Sequence, residues 1–354
     1  MIRKMKVVSK QTNDEISKQV ETETQKMPES LPEENLKYIV STGSTLLNLA
    51  ILGGRVRGGG IPTGIFVEIY GPEASGKTAL LAEIATSTQN QGGEAKYLDV
   101  EGRLDREYAR IYGMNITEEF IREIQTIPQF FEAIKEWTPA RNDVVNTILA
   151  DSLAALALEG ELEQEDKMAA ARRANKFSEG LRKVKAILSQ SNRLLVCSNQ
   201  VRETIEAMAF GMKEKAPGGR AIAHYASLRI KINPLYKGSK IEFERTHQGV
   251  LHKKIVGIMS ECTITKSTVD DPYRKAIIPI IFGYGIDDVR GNLVFLKTET
   301  GSFTVGGEEI AKQLEKAIEV VERNNLQGQL KEDVIILWEE IEKLFKTERK
   351  PKER

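Results

Sequence analysis

Apolar residues follow two alternating rhythms between residues 65 and 198, and a third pattern beyond residue 219. Short apolar runs come first: "IFVEIY" (65–70), bounded by glycine on both sides, then "AKYLDV" (95–100), "VVNTILAD" (144–151) and "RLLVCS" (193–198). Runs of this length flanked by turn residues read as strands buried on both faces. Between them lie helical stripes, such as "TALLAEIATSTQNQ" (78–91), where apolar positions recur every third or fourth residue. Strands alternating with helices predict an α/β fold with a mostly parallel, twisted sheet and helices on both faces. After Gly219 the chain turns strand-rich in "SLRIKINP", "KKIVGIMSECTITK" and "KAIIPIIFGYG", expected to extend that sheet with antiparallel strands. Two amphipathic helices, about 307–323 and 330–346, complete a small C-terminal helical unit.

The ends differ from this pattern. Residues 1–34 mix Lys, Glu, Gln, Ser and Thr with scattered apolar positions and no period, which reads as a mobile arm. The expected division is an arm over 1–38, a core over 39–290 and a small C-terminal domain over 291–354 with the basic tail "KTERKPKER".

Composition narrows the class without naming a chemistry. The chain has 354 residues, 40% apolar and 29% charged, which is globular usage. Its 51 basic and 51 acidic residues cancel, so any contact with a polyanion must come from local patches. Cys197 and Cys262 sit far apart in apolar surroundings and read as reduced core residues rather than a disulfide or metal pair. The opening "MIRKMKVVSKQTNDE" lacks an apolar secretory region, and no run reaches membrane-spanning length. A cytoplasmic location is the expectation.

One motif carries specific chemistry. "GPEASGKT" (71–78) fits G-x-x-x-x-G-K-[ST] and stands between a strand and a helix, where a phosphate loop belongs. Its glycines let backbone N–H groups converge on phosphate oxygens, and the helix N-terminus adds partial positive charge. Gly71, Pro72, Glu73, Ala74, Ser75, Gly76, Lys77, Thr78 and Ala79 are the candidate nucleotide contacts. Lys77 is placed to bridge the β- and γ-phosphates, and the Thr78 hydroxyl to ligate Mg²⁺.

Further polar residues end apolar strands on the carboxyl edge, where open α/β sheets bind ligands. Asp151 is expected to hold Mg²⁺ through water, Glu101 to orient an attacking water, and Asn199-Gln200 to sense a γ-phosphate. Each has a plainer alternative: Asp151 as a helix N-cap, Glu101 as a solvated turn acid, Gln200 as a turn former. Their coincidence around one phosphate loop favours ATP binding and hydrolysis.

At this point the chain resembles the bacterial and phage RecA family of recombinases. The resemblance runs through "STGSTLLNLAI", "FVEIYGPEASGKTALLAEIA", "YLDVEGRLDREYARIYGM", "ILADSLAAL", "SEGLRKVKAIL", "LLVCSNQVR", "PGGRAIAHYASLRIKI", "ITKSTVDDPYRKAIIPIIFGYGID" and "GSFTVGGEEI", covering about residues 39 to 345. It implies a RecA-like ATPase core that uses ATP and Mg²⁺. It further implies a homo-oligomeric filament on single-stranded DNA, with ATP at subunit interfaces, that pairs the strand with homologous duplex DNA. By position, Glu101 matches the catalytic glutamate and Gln200 the γ-phosphate switch. Tyr108, with Asp105, matches the ring that stacks on adenine, and Phe282-Gly283 matches a second adenine contact. Lys266 matches a lysine that reaches the neighbouring subunit's ATP. A second lysine two positions later in the family motif is Thr268 here, so that charge is reduced unless Arg274 or Lys275 substitutes. The family's N-terminal docking helix is not recognisable in residues 1–34, and the family tail, often acidic, is basic here.

Two segments are candidate DNA loops, about 158–173 and 201–219. The first contains Met168 and Arg172 and leads into a helix with Phe177, Leu181, Val184 and Leu188 at core spacing. Arg172, Lys176 and Lys183 share another face, either a solvated basic surface or a phosphate-binding one. Ser178 and Arg182 match family DNA contacts, which favours phosphate binding. The acids from Glu159 to Asp166 do not suit phosphate contact. In the second segment, Gly218, Gly219 and Arg220 match backbone-contacting positions, and Ile205 and Met208 match apolar wedges between bases. The plainer alternative is an amphipathic helix packed on the core.

The reading with most support is a DNA-dependent ATPase that catalyses homologous pairing and strand exchange. Two alternatives stand beside it: an annealing partner or motor on the same core, and a DNA-bound scaffold locked by ATP without strand exchange.

Overall fold

The computed structural model describes residues 36–102, 104–117, 120–158, 169–189, 192–203, 214–215 and 219–346. They belong to one unit, Pro32–Arg354. Residues 1–35 of the expected arm and the last residues of the basic tail lie outside the described residues.

The strands are β1 (Ile39–Val40), β2 (Ile61–Pro62), β3 (Phe66–Gly71), β4 (Ala95–Asp99), β5 (Ile121–Glu123), β6 (Asn146–Asp151), β7 (Arg193–Gln200) and β8 (Arg202–Glu203). They continue as β9 (Glu214–Lys215), β10 (Leu228–Pro234), β11 (Lys240–His247), β12 (Val250–Ser267), β13 (Lys275–Ile281), β14 (Gly285–Ile286), β15 (Phe303–Val305) and β16 (Glu308–Ala311). The helices are α1 (Thr45–Leu52), α2 (Lys77–Asn90), α3 (Arg106–Ile111), α4 (Ile127–Glu136) and α5 (Ala169–Ser189). After them come α6 (Gly219–Tyr225), α7 (Asp288–Thr300), α8 (Leu314–Arg323) and α9 (Gln327–Leu344).

Ten strands make the central sheet, in the order β14-β13-β12-β10-β3-β7-β6-β4-β5, with β11 paired to the first half of β12. From β10 to β5 every neighbouring pair is parallel. β11, β12, β13 and β14 run antiparallel to their partners. The fold is therefore the expected α/β type, with one correction. "SLRIKINP" joins β3 in parallel, not antiparallel, fashion. Helix α6 directly precedes β10, and a helical connection returns the chain to the edge from which β3 also starts.

Both faces of the sheet are covered. On one, Phe177, Leu181, Val184 and Leu188 of α5 pack with Phe130 and Ile134 of α4 against Ile148, Ala150, Leu195 and Cys197. Each of the buried Phe, Leu, Ile and Val side chains among them contributes about 1.5–3 kcal/mol of transfer free energy. A Thr126–Gln129 capping box starts α4. On the other face, α2 lies over β6, and the hydroxyls of Thr88 and Thr147 meet at 2.7 Å. Cys197 and Cys262 are buried free thiols whose pKa burial pushes up.

The expected helix over 307–323 begins later, at Leu314, because residues 303–311 form the β15–β16 hairpin. Gly306 and Gly307 turn it with φ of 61° and 84°. Two successive positive φ values suit a tight hairpin turn and are easily reached only by glycine.

Candidate active site

The carboxyl ends of β3, β7, β6 and β4 are neighbours in the sheet, and each presents one of the polar positions singled out above. Gly71 and Gln200 are register partners, as are Asp99 and Asp151. The Glu101 amide donates to the Asp151 carbonyl at 3.2 Å, which holds the turn after β4 beside β6.

Packing fixes the glycines of the phosphate loop. A Cβ on Gly71 would lie 2.0 Å from the Ile232 carbonyl oxygen. Gly76 has φ of 98°, and a Cβ there would strike Ile280 Cδ1 at 2.2 Å. The loop is also bolted to β12, where the buried Ser260 hydroxyl donates to the Ser75 carbonyl at 2.9 Å. Gly76 is the N-cap of α2 and offers no side chain to the first-turn amides, so those N–H groups face outward as an anion cradle.

Lys77 is buried, and its Nζ donates to the carbonyls of Gly71 at 3.1 Å and Pro72 at 2.6 Å. Burial pulls its pKa below the usual lysine value, opposed by the charges of Asp151, Glu101 and Glu73. The exposed Thr78 hydroxyl donates to Asp151 Oδ2 at 2.6 Å. Tyr97 OH reaches the same oxygen at 3.2 Å, and Ser198 Oγ hydrogen-bonds Asp151 Oδ1. Burial first, and then the Asp151 charge, push the Tyr97 phenol well above its usual pKa, so it remains a donor. A glycine-lined cradle, an ammonium and a hydroxyl–carboxylate pair together fit a nucleotide phosphate with Mg²⁺.

Sequence reasoning misplaced Asn199. Its side chain is fully buried and donates to Glu68 Oε1 at 2.9 Å, so it does not face the phosphate loop. Successive strand residues point to opposite faces, and only Gln200 of the pair is partly exposed. Glu68 in turn accepts from Arg229 Nε at 2.5 Å, forming a buried ionic cluster behind the site.

Asp105 is exposed and accepts from the Glu107 amide at 2.7 Å, at the start of α3. The side chains of Tyr108 and Arg220 lie outside the described set. Phe282 is 53% exposed, and Gly283 sits in the turn between β13 and β14 with φ of 75°. Just after that turn, β14 packs against α2 and the residue following α3: a Cβ on Gly285 would come within 2.4 Å of Glu83 and 3.0 Å of Tyr112.

Lys266 is not brought to the phosphate loop of its own chain. It pairs in register with Arg229, which pairs with Glu68, three positions before Gly71. Its Nζ donates to the Ala223 and His224 carbonyls at 2.9 and 2.7 Å, and burial lowers its pKa. Arg274 is held by Asp270 at 2.9 Å and Glu342 at 2.8 Å, and Lys275 by Glu261 at 3.0 Å.

On α5, Arg172, Lys176, Arg182 and Lys183 are exposed and Ser178 is half-buried. Glu179 lies among them, 3.8 Å from Lys176 and 3.0 Å from Lys183, which trims the positive charge of this face. Met168, Ile205, Met208 and Gly218 lie outside the described residues, and Gly219 opens α6. Among the described residues no helix is long and apolar enough to cross a membrane.

Comparison with known proteins identifies the family to which the chain is similar. The model for the RecA N-terminal domain matches residues 10–287. Protein RecA of Thermus thermophilus is 33% identical over 306 residues, 84% of each chain. Protein RecA of Thermus aquaticus gives the same identity and coverage. That of Ruminococcus albus is 33% identical over 269 residues, 76% of this chain and 63% of its own.

Proposed function

The chain belongs to the RecA family, and on that premise we propose that it is a DNA-dependent ATPase that promotes homologous pairing and strand exchange. The observation carrying most weight is the convergence of four neighbouring strand ends on one phosphate loop, with Thr78 Oγ1 2.6 Å from Asp151 Oδ2.

The first-turn amides of α2 and Lys77 bind the phosphate chain, and Lys77 exchanges its two carbonyl partners for phosphate oxygens. Thr78 and Asp151 are the residues that would hold Mg²⁺, which supplies charge neutralisation of the phosphates. Glu101, tied through its amide to Asp151, orients the attacking water. Gln200, beside Gly71, reads the terminal phosphate and passes its presence to the segment over 201–219, which contacts DNA. DNA phosphates also meet Arg172, Lys176 and Arg182 on α5. Lys266 serves a neighbouring subunit within a filament on single-stranded DNA.

The test is ATP turnover with and without single-stranded DNA, followed by joint-molecule formation with homologous duplex. DNA-stimulated turnover with pairing supports the proposal; stimulated turnover without pairing favours a motor or annealing partner. A scaffold that binds DNA with negligible turnover gains support from one feature. Thr268 carries no charge, and Arg274 and Lys275 are both engaged by acids of their own chain.

A further inference from the structure

Three hydroxyls from three segments of the chain meet on the Asp151 carboxylate. Thr78 Oγ1 and Tyr97 OH share Oδ2, at 2.6 and 3.2 Å, and Ser198 Oγ takes Oδ1. Thr78 belongs to the phosphate-loop motif; Tyr97 and Ser198 lie outside that loop, on strands β4 and β7. Tyr97 is 1% exposed and Ser198 is fully buried, so neither can touch a nucleotide in solvent.

Their approach follows from the sheet. Asp99 is the register partner of Asp151, and Tyr97 stands two positions earlier on β4, on the same face. The phenol therefore runs along that face, beneath α2, to the end of β6. Ser198 stands near the end of the other neighbour of β6, strand β7. One flanking strand thus holds each carboxylate oxygen.

A buried phenol needs an acceptor, and here it is given the carboxylate that also receives Thr78. The second torsion of aspartate is broad and nearly two-fold, so a lone strand-end carboxylate samples a range of orientations. Donors on both oxygens remove that range. We propose that Tyr97 and Ser198 are positioning residues that lock the Asp151 carboxylate in the orientation needed to hold Mg²⁺ beside Thr78. This rests on the nucleotide reading of the phosphate loop. Groups that orient a metal-holding side chain in this way are typically worth roughly 10–100-fold in metal affinity.

The alternative is that Asp151 merely satisfies two buried hydroxyls, in which case their loss alters stability alone. Tyr97→Phe and Ser198→Ala each remove one hydroxyl from the full-length protein and separate the two cases. A fluorescent ATP analogue reports nucleotide binding while Mg²⁺ is titrated, and urea unfolding reports stability. Each variant is expected to raise the half-saturating Mg²⁺ concentration about tenfold, with nucleotide binding in chelator unchanged. A half-saturation within twofold of wild type in the folded variants overturns the proposal. Lys77→Ala, which should lose the fluorescence signal, is the control for the nucleotide reading. Wild-type protein showing no Mg²⁺-dependent signal overturns that reading and the inference with it. A wild-type signal that neither variant shifts overturns the inference alone.

Discussion

Lys266 Nζ lies 2.7 Å from the His224 carbonyl oxygen and 2.9 Å from that of Ala223, and so closes the C-terminal end of α6. A cation on the last carbonyls of a helix stabilises it by about 0.3–1 kcal/mol. Lys266→Ala should fray this end, and amide hydrogen exchange in residues 219–226 should rise in nucleotide-free protein. Unchanged exchange there would mean the contact carries no weight in the protomer. Because α6 follows the second candidate DNA loop, drawing Lys266 away to a neighbouring subunit would loosen the anchor of that loop.

Glu83 gives a pH dependence with a definite sign. Burial raises its carboxyl pKa, the Ile286 amide opposes this at 3.0 Å, and Asp288 adds to the rise. A carboxyl with a raised folded pKa binds its proton more tightly when folded. Its stabilising contribution is present below the unfolded value, about 4.3, and is lost as pH rises through the folded one. Glu83→Gln keeps an acceptor for Ile286 and removes the titration. Its melting temperature should exceed that of wild type near pH 7, and the gap should shrink towards pH 4. A gap independent of pH would contradict this.

Gly180 sets two effects against each other. Alanine in the middle of a helix is favoured over glycine by about 1 kcal/mol. Yet a Cβ at 180 would fall 2.2 Å from the ring of Phe131, which meets Phe130 and Phe177 edge-on at 5.0 and 6.1 Å. Overpacking of this kind costs about 1–3 kcal/mol, so Gly180→Ala should lower stability on balance, as urea unfolding would measure. Net stabilisation would show that Phe131 moves freely.

Asn199 and Gln200 should separate cleanly. Asn199→Ala leaves Glu68 with one hydrogen-bond donor fewer in a buried cluster, a loss of about 1–3 kcal/mol, without weakening nucleotide affinity in the folded protein. Gln200→Ala should leave stability near wild type and uncouple DNA binding from ATP. Equal effects of the two on nucleotide affinity would refute the assignment.

How far such residues could be read from sequence depended on how far apart in the chain their partners lie. The phosphate loop is local, with strand, glycines, lysine and helix adjacent in sequence, so "GPEASGKT" declares itself. Asp151 and Glu101 were legible because polar residues ending apolar strands collect at one edge of a parallel sheet. Asn199 was not, since its partner Glu68 lies 131 positions away and alternation alone does not say which face is open. Tyr97 and Ser198 read as core because their acceptor is on another strand, 54 and 47 positions distant. The parallel pairing of β10 and the β15–β16 hairpin turned on chain return and on two glycine dihedrals, which apolar periodicity does not encode.

Glu101→Gln bears most directly on the proposed chemistry. ATP hydrolysis by wild type and variant should be measured with and without single-stranded DNA, alongside nucleotide and DNA binding. Wild-type turnover should rise with DNA, while the variant should bind both ligands and turn over at least about 100-fold more slowly, the scale of a lost general base. Turnover by Glu101→Gln at the wild-type rate, or wild-type turnover indifferent to DNA, would contradict the assignment.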